Sequence, residues 1–117
     1  MTMNASLPVA IETMRATAAR VLAEDAQPPT ADELHTLTLP CEGHLTLLIP
    51  EVLKACLGRP DDDTLTAGAL KGVVQARTRL DIVPGMQWSR QVAHAQRLAR
   101  SVDCLLGHLE NLAGKHT

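Results

Sequence analysis

Histidines, cysteines and arginines are the residues of this 117-residue chain with chemistry to offer. Cys41-x-x-His44 and Cys104-x-x-x-His108 each pair a sulfur with a nitrogen ligand. Two such pairs brought together would make the tetrahedral donor set of zinc. The pairs are far apart in the chain and lack the tight, stereotyped spacing of zinc modules, so no metal is expected. Cys56 falls on an apolar stripe and reads as a small core residue. Asp61-Asp62-Asp63 lacks the alternating oxygen ligands of a cation loop and serves better as a helix cap.

Helical periodicity places Arg90, His94, Arg97 and Cys104 on the outer face of the last helix, with Arg100 nearby. Convergent arginines there would hold an anion or a phosphate-bearing ligand, and a plain solvated face is the simpler reading. A pocket reading needs polar groups such as His44, Arg77 and His94 turned into a cavity lined by Leu and Met. His44, Arg77, His94 and Arg97 are therefore the candidate ligand-binding residues. No Ser or Cys stands in a local nucleophile signature, and Gly68 and Gly72 lack the flanks of a phosphate loop. No catalytic residue and no cofactor is assigned, and the balance leans against an enzyme.

Composition narrows the classes further. The apolar fraction is 45%, yet there is no Phe or Tyr and only one Trp, so Leu, Ala, Val, Ile and Met must fill the core. Base-stacking nucleic-acid modules need exposed aromatics and are disfavoured. The net charge of −2 is unevenly distributed. Residues 1–60 carry seven acids and four bases, and residues 61–117 six acids and seven bases. Within the second half Arg77, Arg79, Arg90, Arg97 and Arg100 face only Asp81, which suits a solvated, salt-bridged surface better than an anion patch. An odd cysteine count without framework spacing fits a reducing cytoplasm. Met1–Leu7 has no basic start followed by an apolar run, so no signal peptide is read, and no apolar run approaches membrane-span length.

These residues are positioned by helices throughout, in one domain spanning residues 1–117. A first helix is expected over 7–26, capped by Ser6, with Pro8 in its first turn and Gln27-Pro28-Pro29 as its stop. Leu7, Ile11, Met14, Ala18 and Val21 form its stripe. Thr30-Ala31-Asp32-Glu33 reads as a capping box opening a short helix that Leu39-Pro40 breaks. Residues 42–57 form the next, with a kink or restart at Thr46–Pro50. Asp61–Asp63 opens a helix through Leu80, and Pro84-Gly85 ends that segment. The last helix runs from Trp88 to Leu112 with Gly114 as terminator. Trp88, Val92, Ala95, Ala99, Val102, Leu106 and Leu109 recur at alternating spacings of four and three, with Leu98, Leu105 and Leu112 alongside. The expectation is an all-α bundle of four main helices plus one short helix, with the long C-terminal helix as spine.

Three segments carry a family likeness: His44-Leu-Thr-Leu-Leu-Ile-Pro-Glu-Val52, Val74-Gln-Ala-Arg-Thr-Arg-Leu80, and Ala93-His-Ala-Gln-Arg-Leu-Ala-Arg-Ser-Val102 running into His108-Leu-Glu-Asn-Leu112. Across about residues 40–113 the chain resembles a family of small uncharacterised actinobacterial proteins. That family is labelled natural product biosynthesis protein and carries a domain of unknown function. The resemblance implies a cytoplasmic protein tied to specialised metabolism or its regulation, and it implies no reaction. The chain departs from the family at Leu109, where the family has an aromatic beside the last histidine, so a ligand contact through a ring is not carried over.

The last helix offers ten apolar positions, more than a small four-helix core needs, so part of the face is expected to meet a second copy. The first expectation is a non-enzymatic helical interaction protein that self-associates, as a dimer, through Trp88, Val92, Leu98, Leu105 and Leu109. Trp88 reads equally as an interface anchor or as a plug closing the core. A protein partner from a biosynthetic or regulatory system is a further expectation. The alternatives are a biosynthetic enzyme or small-molecule binder with an internal pocket, and a DNA-associated transcriptional regulator using the Arg77–Arg100 region. No pair of short helices with a basic second member supports the last.

Overall fold

A computed structural model of the chain describes residues 3–23 and 30–114, with side chains from residue 10 onward. It contains four helices: α1 (Met3–Leu22), α2 (Ala31–Cys56), α3 (Thr64–Asp81) and α4 (Trp88–Leu112). The all-α class and the bounds of α4 agree with the sequence reading. The separate short helix does not exist. Residues 31–56 form one continuous helix through Pro40 and Pro50.

A proline inside a helix removes one hydrogen bond and crowds the preceding turn, at about 3 kcal/mol. Each proline of α2 frees the carbonyl of a threonine four residues earlier, Thr36 and Thr46. Both threonine hydroxyls bond back to the preceding turn, to Asp32 and Glu42 carbonyls at 2.8 and 2.9 Å. Pro50 is exposed and Pro40 half-buried, while Leu34, Cys41, Leu45, Leu48, Ile49 and Val52 keep one buried stripe across both. Enclosing a leucine contributes about 1.5–3 kcal/mol, so this stripe outweighs two interrupted turns. The capping box forms as read: Glu33 N–H donates to Thr30 Oγ1 at 3.1 Å and Thr30 N–H to Glu33 Oε1 at 3.0 Å.

The first helix is also displaced from its expected bounds. It starts at Met3, which leaves Ser6 inside it rather than at its cap, and it ends at Leu22. Gln27-Pro28-Pro29 and the Leu7 side chain lie outside the described residues. Met14 and Ala18 are buried and Ile11 and Val21 half-buried, so the described part of the stripe holds. Asp63 caps α3, its carboxylate accepting from Thr66 N–H at 3.3 Å. Hydrogen bonds from Arg59 and Thr66 hold that carboxyl at about 2. Gly114 takes φ +75° after α4, the left-handed step that ends a helix without a Cβ penalty.

α4 is the central element and packs against each of the other three, whereas α1 and α3 share no close contact among the described residues. α2 and α4 run the same way. Their first turns lie side by side, and at the other end Arg59 beyond α2 reaches the Leu112 carbonyl at 3.5 Å. α3 runs against them, its Arg79 near the α4 mid-point and its Gly68 and Gly72 beside His108. Ala95 and Ala99 of α4 and Cys41 of α2 are small and fully buried, side chains that suit close helix packing. The core is aliphatic, with Leu45, Leu48, Leu98, Leu105 and Leu106 its largest enclosed side chains.

Beyond its first turn the apolar surplus of α4 is consumed inside the chain. Leu98 and Leu105 are 0% exposed, and Leu109 packs half-buried on the core, so neighbouring helices cover all of the expected partner face except its Trp88 end.

Gly68 and Gly72 make the seat for the His108 ring. A Cβ on Gly72 would come within 3.1 and 3.3 Å of that ring and 3.3 Å of Leu105, while one on Gly68 would stand 3.5 Å from it. Gly68→Ala should therefore stabilise the fold by about 0.5–1 kcal/mol through helix propensity. Gly72→Val should destabilise it by about 1–3 kcal/mol through overpacking. Urea unfolding of the two variants beside the parent checks both signs.

Candidate functional site

The end of the bundle where α2 and α4 begin holds the polar groups that face a concave surface. Ala31, Leu34, His35 and Thr38 of α2, Gln91 and His94 of α4, and Pro84 of the α3–α4 connector line a cleft of about 220 Å³. The connector is fixed by its own sequence. Pro84 stiffens it, Gly85 turns it at φ +80°, and Gln91 Nε2–H donates to the Gly85 carbonyl at 3.1 Å.

His94 forms the inner wall. The sequence reading placed it on the outer face of α4 beside Arg90, Arg97 and Cys104. The structure corrects this: His94 is 4% exposed, while Arg90, Arg97 and Cys104 are exposed. The apolar arc of α4 is wide enough at this level to take in the imidazole, because α2 flanks it. Its Nδ1 is buried with no hydrogen-bond partner. Burial lowers its pKa below the ordinary 6.5, against the pull of Glu42 and with the push of Arg97.

The other candidate residues do not join it. His44 is half-buried on α2, its Nδ1 also unpartnered and its pKa lowered by burial. Arg77 and Arg97 point to solvent, and no hydrogen bond or shared cleft brings them to either histidine. Arg79, expected on the solvated surface, instead donates to the Arg97 carbonyl at 3.0 Å and to the buried Ser101 hydroxyl at 2.8 Å. It ties α3 to α4 rather than contributing to a free cationic patch. Cys41 is fully enclosed, its thiol pushed up to about 11 by burial, and Cys104 is exposed. Among the described residues no group of three or more His, Cys, Asp or Glu is gathered for a metal.

What sequence reasoning missed is the surface around the cleft. Ile82, Val83 and Met86 of the connector are 42%, 88% and 93% exposed, and Trp88 at the head of α4 is 40% exposed. Trp88 is thus no plug of the core. Val92, one turn on, is half-buried. The signal was present as four large apolar residues in the seven-residue stretch 82–88, which the Pro-Gly turn disguised as a mere stop.

The two unpartnered imidazoles make stability depend on pH. With folded-state pKa values below 6.5, the unfolded chain takes up protons first as pH falls. The stability contribution is complete above that value and declines as pH drops below it. Thermal melts from pH 8 to 5 should show this fall, and His44→Gln with His94→Gln should flatten it. A parent melting curve independent of pH in that window would contradict the reading.

Among the described residues, no helix is long and apolar enough to cross a membrane. Comparison with curated proteins gives no match, and comparison with solved structures gives none either. A family model does match, covering residues 12–114 and described as Family of unknown function (DUF6415). That match takes in all of α2, α3 and α4, the cleft and the connector, and the chain belongs to this family of unknown function.

Proposed function

We propose that this chain is a non-enzymatic helical interaction protein that self-associates as a homodimer, working in the cytoplasm in specialised metabolism or its regulation. The observation that carries the reading is the run of exposed apolar side chains at Ile82, Val83, Met86 and Trp88 on one end of the bundle. Large apolar residues clustered on a surface mark contact sites, and Trp leads among interface anchors. The link to specialised metabolism rests on the family likeness of residues 40–113, and a protein partner from such a system is a further expectation of it.

The interface proposed from sequence shifts accordingly. Trp88 stays at its centre and Val92 near its edge, while Leu98, Leu105 and Leu109 support it from within the chain. An enzyme is supported by no nucleophile–base pair among the described hydrogen bonds. A small-molecule carrier draws support from His94, an inward-facing imidazole on a cleft. The volume of about 220 Å³ lies below the roughly 300–1,000 Å³ of small-molecule sites.

Multi-angle light scattering over a wide concentration series tests the reading. A concentration-dependent dimer is expected, and a strict monomer at the highest concentration reached would overturn self-association.

A further inference from the structure

We infer that the cleft at His94 is the seat of a second copy's Trp88, so that two chains exchange tryptophans about a two-fold axis. This rests on the self-association proposed above and names the contact that makes it.

The first argument is size. The cleft of about 220 Å³ is smaller than a metabolite site and larger than the roughly 150 Å³ void that takes up one benzene ring. That suits a single indole. Ala31, Leu34 and Pro84 give it apolar walls.

The second is hydrogen-bond complementarity. An indole is donor-only, and the Trp88 Nε1–H has no protein partner among the described contacts. The cleft is rich in acceptors. Gln91 gives one of its two amide N–H donors to the Gly85 carbonyl, and its Oε1 accepts no hydrogen bond among the described contacts. Thr38 donates its proton to the Leu34 carbonyl at 2.7 Å, which leaves lone pairs on its oxygen. Neutral imidazole keeps one acceptor nitrogen.

The third is placement. Trp88 stands one turn before Gln91 on the same helix, yet it does not line the cleft beside it. Key and lock are separate features of one chain, which is what an isologous dimer requires. Charge follows the same symmetry. Asp32 follows Ala31 in the first turn of α2 and Arg90 precedes Gln91 in the first turn of α4; both are exposed and lack ion-pair partners among the described residues. Each chain thus offers both charges of an opposite-sign pair beside the cleft, the complementarity a second copy would use.

The chain supplies its own probe, because Trp88 is the only Trp and there is no Tyr. As the dimer forms, Trp88 emission should move to shorter wavelength and become harder to quench with acrylamide. Trp88→Ala removes the key and Ala31→Leu obstructs the lock. Each should weaken dimerisation at least about 30-fold, with helical circular dichroism unchanged and melting unchanged at concentrations where the parent is monomeric. An equimolar mixture of the two should recover dimer through the one intact contact. A parent that stays monomeric overturns self-association and this contact with it. A parent that dimerises with unshifted Trp88 emission, or variants that dimerise as the parent does, overturns the tryptophan exchange alone and leaves self-association standing on another face.

Discussion

The packing of three helices onto one face of α4 is the constraint from which the rest of this structure follows. That face alternates small and large residues. Ala95 and Ala99 are small and fully buried, and Leu98, Leu105 and Leu106 are large and fully buried beside them. With no aromatic in the core, cohesion comes from many aliphatic contacts in close packing. A central helix that touches every other helix, with α1 and α3 apart, is the outcome. It also explains why an apolar face that looked excessive for a four-helix core leaves only its Trp88 end for a partner.

Polar ties then fix register where the aliphatic face cannot. Arg79 reaches from α3 to the α4 backbone and Ser101. Arg59 links the α2–α3 turn to Asp63, Thr66 and the last carbonyl of α4. Arg15 and Glu110 pair across α1 and α4. Hydrogen bonds have direction and aliphatic contacts do not, so these few groups select one alignment among several that would bury similar area. The His108 ring against Gly68 and Gly72 does the same by shape.

The candidate site arises from what this packing leaves at one end. Two parallel helices begin there side by side, and the connector before α4 folds against them through Gln91 and Gly85. The corner where α2, α4 and Pro84 meet is too wide for the side chains present to close, and it remains as the cleft. The apolar connector residues have no helix to cover them. Recognition chemistry and exposed apolar area therefore occur together, set by chain geometry rather than by any single motif.

The sequence by itself determined the helical class, the Thr30–Glu33 capping box, the acidic opening of α3 at Asp61–Asp63 and the bounds of α4, because periodicity and capping are local. It misjudged Pro40, read as a break, whose local penalty is offset by burial along α2, and it misplaced Ser6 for want of any view of where α1 begins. His94 and Arg79 were read as surface residues because a helical wheel shows which face a residue shares, and only neighbouring helices decide how wide the buried arc is. Whether the apolar face of α4 was free or covered, and which residues ring the cleft, depended on how four helices meet. Those contacts join positions far apart in the chain, and no spacing along it encodes them.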